Sequence, residues 1–417
     1  MATGLFTVPN PAVSLTDKAR ETGKSLFPLK AVFWGKVFLH IKITRIEAKK
    51  MNQVAPFYAD HVGSILRTKA IKEAREKFQS GEITTQELRE IENAEIKYIV
   101  EKQKEVGLKA ITDGEFRRAW WHFDFLENLD GVEGYDAAGG IQFSKVQTKS
   151  HSVKITGPID FTTHPFIEDF IFLKEAVGEN HVAKQTIPSP AMLHYRGDME
   201  YQPYIDDADK FVADLAAAYQ KAIQAFYDAG CRYLQLDDTS WSYLCSDEQR
   251  EVVRERGFDP DTLQETYKTL INEAIKYKPA DMVITMHICR GNFRSTWIAE
   301  GGYGPVAETL FGKLNIDGFF LEYDNERSGD FSPLKYVARP DLKIVLGLIT
   351  SKTGDLEDET AIKARIKEAS EIVPLNQLCL SPQCGFASTE EGNILSEEEQ
   401  WNKLRYVVKI AEDVWGK

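Results

Sequence analysis

His287 and Cys289 stand two apart in the apolar run "MVITMHIC", Glu322 closes "FFLE", and Cys384 ends "SPQC". An imidazole, two thiols and a carboxylate make a donor set that suits tetrahedral Zn2+, and the sulfur pair disfavours magnesium or calcium. Alternation along a strand puts positions 287 and 289 on one face, with Ile288 turned the other way. Singly, each residue has a blander reading: Cys289 and Cys384 as buried core cysteines, His287 as a satisfied barrel histidine. Four possible ligands at three strand ends carry more weight together.

A second set is acidic and hydroxylic. Ser64, Glu115, Asp237 and Asp238 close the segments "DHVGS", "TDGE" and "LDD". Carboxylates accept from an ammonium group, while the Ser64 hydroxyl and nearby backbone N–H groups bind a carboxylate, so the set could orient an amino acid. The alternative is that each caps the helix that follows it. Beside Glu115, "GEFRRAWWHFDF" adds Arg117, Arg118, Trp120 and Trp121, which either face an anionic substrate or pack an insertion; the sequence assigns them no role. Cys231 and Cys379 read as packing residues, and Cys245 fits either use.

These residues need strands to hold them. Eight β-like runs alternate with helical stretches, at 57–64, 110–116, 181–189, 233–238, 282–289, 318–324, 343–350 and 378–384. Runs such as "KIVLGLIT" are apolar at successive positions, as strands buried on both faces are. The pattern predicts the α/β class and a (β/α)8 TIM barrel, whose active site lies at the carboxyl ends of its strands. The stretch 84–106 opens with Thr84 and Glu87 at capping-box spacing and stops at Gly107. The alternation breaks at 130–161, where "GGIQFSKVQ" and "HSVKITGPI" predict a β-hairpin inserted after strand 2.

Composition bounds the rest. The 417 residues are 43% hydrophobic and 28% charged, the balance of a globular protein. A net charge of -13 argues against a nucleic-acid partner, and no apolar run reaches the roughly 20 residues that cross a bilayer. Five cysteines, an odd and scattered number, fit a reducing cytoplasm. Residues 1–50 carry nine Lys or Arg against three Asp or Glu, so the expectation is an N-terminal extension of unknown role followed by one zinc-binding barrel at 51–417. A transit peptide is the rival reading of the extension.

In order along the chain, "HVGS", "DGEF", "LQLDD", "HIC", the glutamate of "FLEYD" and "SPQCGF" resemble motifs of the cobalamin-independent methionine synthase family, most closely its short single-barrel members. The resemblance spans nearly all of the chain from Met51 on. It implies zinc on His287, Cys289, Glu322 and Cys384, and a homocysteine-like thiol substrate held by Ser64, Glu115 and Asp237. The activity it implies is methyl transfer onto that thiol, from an unidentified methyl donor. The match thins on the donor side: the family's histidine after strand seven is replaced in "LITSKTGD" by Lys352, and its tryptophan after strand three is not evident in "PSPAMLHYRG". Two other readings stand beside this one. An epoxyalkane:coenzyme M transferase-like enzyme would use the same zinc with cations for a sulfonate, and a binding protein would keep a structural zinc only.

Overall fold

A computed structural model describes residues 55–141, 148 and 150–416. The extension at 1–50 lies outside the described residues. The apolar runs become strands because every position in them is out of water: β6 (Tyr233–Asp238), β8 (Gly318–Glu322) and β10 (Leu378–Pro382) are buried at every residue. With β1 (Ala110–Ile111), β4 (Val182–Pro188), β7 (Val283–Ile288) and β9 (Lys343–Ile349), they form a seven-stranded parallel sheet in the order β1-β4-β6-β7-β8-β9-β10.

The fold is a TIM-type barrel, with one difference from the expected eight strands. The first run, 57–64, is not a regular strand. It joins β10 through a parallel bridge at Ala59 and Leu380, and reaches the β1 side through Thr112 Oγ1 to Gly63 O (2.6 Å) and Ile65 N to Gly114 O (3.1 Å). Its "PFYADHVGS" alternates too little apolar surface with too much functional polarity to sustain a ladder.

Inside this ring a small apolar layer of Val62, Ala110, Tyr233, Phe320, Val345 and Cys379 is separate from the larger core between strands and helices. One ion pair is sealed in with it. Lys184 Nζ lies 3.3 Å from Asp60 Oδ1, both side chains fully buried, and donates to His61 O at 2.5 Å. Tyr233 Oη donates to the other Asp60 oxygen, and the Lys184 ammonium sits 4.0 Å from the Phe320 ring centroid. A charge so deep is tolerable only with partners on all sides.

The helix Thr85–Glu105 begins with the expected capping box, Thr84 and Glu87 each satisfying the other's backbone. The insertion after the second run contains antiparallel β2 (Asp130–Tyr135) and β3 (Ser152–Asp160), with the two-residue β5 (Asp198–Met199) beside β3. β3 covers the predicted "HSVKITGPI", but its antiparallel partner is β2. The predicted "GGIQFSKVQ" lies mostly outside the described residues.

Candidate active site

Register brings the polar strand ends to one level. β6 and β7 pair with Asp237 opposite His287, and β8 and β9 pair with Glu322 opposite Gly347. His287, Cys289, Glu322 and Cys384 are all buried, and one ligand atom from each lies within 4.8 Å of the other three. The sulfurs of Cys289 and Cys384 are 3.5 Å apart. A zinc tetrahedron with bonds of about 2.3 Å to sulfur has an S···S edge of about 3.8 Å. The four residues therefore fit the ion by donor type and by spacing.

Each ligand is oriented from behind. The Nδ1 of His287 is 3.2 Å from Phe320 O, so it carries the proton, which leaves Nε2 as the nitrogen able to bind an ion. Glu322 accepts from Arg290 N at 2.7 Å on one oxygen and from Arg327 Nη2 at 3.1 Å on the other. Arg327 also pairs with Asp324, and both carboxylates are essentially inaccessible to water. Cys384 is held well below the ordinary thiol range, chiefly by the Cys289 S–H and then by His287, while the same contact and burial push Cys289 up.

Ser64, Glu115 and Asp237 line one chamber of about 20 Å3 together with His287, Cys289 and Cys384. Ser64 Oγ accepts from Ala387 N at 3.2 Å, leaving its O–H to donate inward. Gly385 allows this approach, since a Cβ there would lie 2.0 Å from Ser64 Oγ. Glu115 sits in the left-handed region at φ 62°, a conformation that costs a non-glycine residue roughly 1 kcal/mol or more and that clusters at functional sites. One of its oxygens accepts from Thr186 Oγ1 (2.8 Å) and lies 3.6 Å from Arg118 Nη1; the other is buried and has no partner among the described residues. Asp237 accepts from Gln235 Nε2 at 2.7 Å, and burial pushes its carboxyl up to about 7 against the pull of His287. Two desolvated carboxylates facing one small space call for a cation.

Asp238 takes the other role left open for it. It accepts from Ser189 Oγ, from Ser240 Oγ at 2.7 Å and from Trp241 N at 3.1 Å, capping the short helix after β6. Arg117 points away, into ion pairs with Glu92 and Asp169, and stacks on Phe172. Arg118 donates to Thr186 O at 2.7 Å besides its pairing with Glu115. Trp121, Gly385 and Ser388 complete the chamber wall. Lys352 is buried, with Nζ unpartnered among the described residues, and its charge favours the thiolate forms of Cys384 and Cys289. Of these residues Asp238, Lys352, Trp121 and the two arginines stood out in the sequence. Arg327 carried no motif; its signal was only its place five residues after Glu322.

A larger cavity of about 970 Å3 adjoins, walled by aromatic residues such as Tyr195, Tyr243 and Tyr267 with Arg196 and Arg256 among them. Ile205 and Phe258 stand exposed at its rim. Between it and the inner chamber lies a second small space, which shares Trp121 and Cys289 with the chamber and Arg196 and Tyr243 with the cavity.

Residues 57–413 match the model of the cobalamin-independent synthase catalytic domain. The chain belongs to that family. Membership places it among methyltransferases. A candidate vitamin-B12-independent methionine synthase from Listeria monocytogenes, known as a crystal structure, is 78% identical; the match covers 88% of this chain and 100% of that one at a TM-score of 0.74. YxjH of Bacillus subtilis, an uncharacterized protein, is 61% identical over 361 residues, 87% of this chain and 95% of its own. A B12-independent methionine synthase from Shewanella shares the fold at 18% identity, with a TM-score of 0.64 over 86% of this chain and 97% of the other. Among the described residues no helix is long and apolar enough to cross a membrane.

Proposed function

We propose that this cobalamin-independent synthase transfers a methyl group to the thiol of homocysteine, with zinc on His287, Cys289, Glu322 and Cys384, and that residues 51–417 are its catalytic unit. One observation carries the reading: a chamber walled by three of the metal donors is also walled by Glu115, Asp237 and Ser64. The carboxylates accept from the substrate's ammonium group, and the Ser64 hydroxyl donates to its carboxylate, which turns the thiol toward the sulfur-rich end. At water size the chamber must widen to admit an amino acid.

Zinc held by His287, Cys289, Glu322 and Cys384 would supply a Lewis acid that lowers the pKa of a substrate thiol toward neutral. Glu322, the one oxygen donor among the four and oriented by Arg327 and the Arg290 N–H, would be the ligand that makes way for a substrate thiol. The coenzyme M alternative needs a cation where the substrate's polar end sits. Arg117 turns outward and Arg118 is committed to Glu115 and Thr186 O, so the geometry favours the amino acid. Five free cysteines remain in keeping with a reducing cytoplasm.

The test is zinc content together with homocysteine methylation from a panel of donors: methyltetrahydrofolates of different glutamate length, a methylated corrinoid and S-methylmethionine. Stoichiometric zinc and methionine formation from at least one donor are expected. Protein without zinc, or with tight binding of coenzyme M and none of homocysteine, would refute the reading.

A further inference from the structure

A chamber of about 20 Å3 holds little more than one water, so an amino acid enters only if a wall gives way. Most of its walls are fixed. Val62 is 6% exposed, belongs to the sealed apolar layer of the barrel, and accepts on its carbonyl from Gln235 Nε2 at 2.6 Å. Ser64, Glu115 and Asp237 are buried and hydrogen-bonded to Ala387 N, Thr186 Oγ1 and Gln235 Nε2. His287, Cys289 and Cys384 are the buried metal donors. Gly385 has no side chain to move, and its carbonyl accepts from Asn292 Nδ2 at 2.8 Å and from Ser351 Oγ at 3.0 Å. That leaves Trp121 and Ser388, the two lining residues that are only half-buried. Of these, only the indole is large enough for its displacement to free the space an amino acid needs.

The backbone at Trp121 is held in place. Its N–H donates to Ser388 O at 3.0 Å, and the Ala119 and Trp120 N–H groups donate to the Asp124 carboxylate at 2.7 and 3.0 Å. The indole rests on the His122 ring, stacked at 4.4 Å between centroids, and also lines the small space beyond the chamber, into which it can turn. Movement is therefore a matter of the side chain.

Trp121 and Val62 are also the chamber's two apolar walls; the others present polar groups or glycine. A bound amino-acid thiol is pinned at both ends, its ammonium and carboxylate by Glu115, Asp237 and Ser64 and its sulfur at the metal donors. The protein sets that span, so a methylene too many bulges sideways, against Val62, which cannot yield, or against Trp121.

We propose that Trp121 is the specificity-determining wall of the thiol chamber: its indole turns aside to admit the amino-acid thiol and sets the length of methylene chain the chamber accepts. This rests on the homocysteine reading above. An apolar wall of this kind discriminates one methylene by about 10- to 200-fold.

Full-length, zinc-loaded enzyme is titrated by calorimetry with homocysteine and with its homologue longer by one methylene. Wild type prefers homocysteine about 10- to 200-fold; in Trp121→Ala the preference falls to within about threefold, with zinc content unchanged, because the longer thiol binds more tightly than it does to wild type. A loop merely loosened by the substitution weakens both thiols and gains neither. Trp121→Leu provides a second variant should the first be unstable, and narrows the preference in the same direction. A variant that keeps the wild-type preference, or a wild type that binds both homologues alike, overturns the assignment. Wild type that holds zinc and binds neither thiol overturns the homocysteine reading beneath it as well.

Discussion

Replacing Cys384 by Ser is the sharpest probe of the metal centre, because it changes one atom at a position only 2% exposed. The side chain is nearly isosteric, so the barrel should fold as before; what changes is the donor. Zinc in sites with cysteine and histidine ligands binds with an apparent free energy of about 10–16 kcal/mol, or roughly 2.5–4 kcal/mol for each of four ligands. A serine hydroxyl stays protonated at neutral pH and contributes little of that. The expected weakening is therefore about 10²- to 10³-fold in Kd. Competition with a chromogenic chelator measures it directly, and Cys379→Ser is the control. Cys379 is equally buried, but it sits in the inner apolar layer with its sulfur 3.7 Å from Pro56 O and away from the cluster. If Cys384→Ser keeps one zinc within about threefold of wild-type affinity, or if Cys379→Ser loses zinc as severely, the ligand assignment is wrong.

Arg327→Gln frees one Glu322 oxygen and leaves Asp324 with a weaker partner, so zinc affinity should fall about 10- to 100-fold, as measured by the same chelator competition. Glu115→Gln removes a buried acceptor for the substrate ammonium, and calorimetry should show homocysteine binding about 10- to 100-fold weaker with zinc content unchanged. Lys184→Met strands Asp60 in the barrel interior, and urea unfolding should register a loss of about 3–5 kcal/mol. His164 accepts from Phe166 N and donates to Phe125 O, so it must be neutral to cap its helix, and burial pushes it down to about 4. Because the folded value lies below the ordinary 6.5, its contribution is fully present above pH 6.5 and is lost as pH falls toward 4, by about 1.4 kcal/mol per unit. Urea midpoints between pH 7 and 5 should fall less steeply for His164→Gln than for wild type; parallel slopes would dispose of this account.

The clustering of His287, Cys289, Glu322 and Cys384 was legible because these residues lie at the ends of apolar strands, where period and placement agree. Ser64 and Glu115 were noticed through short motifs, although their segments are irregular in the structure: 57–64 makes one bridge to β10 and no ladder, and Glu115 needs a left-handed backbone that no propensity predicts. Asp238 could not be told from Asp237 in sequence. Adjacent residues on a strand face opposite ways, and only the pairing of β6 with β7 decides which one shares a face with His287. The roles of Arg118 and Arg117 were hidden as well, because in the turn after Ile111 no periodicity says which way each points: one turns to Glu115 and the other to Glu92 and Asp169. β2, "DGVEGY", which pairs with β3, gave no strand signal because it carries two glycines and little apolar surface; most of "GGIQFSKVQ" lies outside the described residues.

The end-to-end arrangement of inner chamber, small space and large cavity also bears on the order of events. On the reading proposed above the thiol's place is the inner chamber, and a donor filling the cavity would stand across the route to it. Homocysteine would then enter before the donor, and the demethylated donor would leave before methionine. Steady-state kinetics should accordingly be ordered and sequential, with methionine competing against homocysteine alone and high donor concentrations slowing turnover by trapping the enzyme before its first substrate arrives.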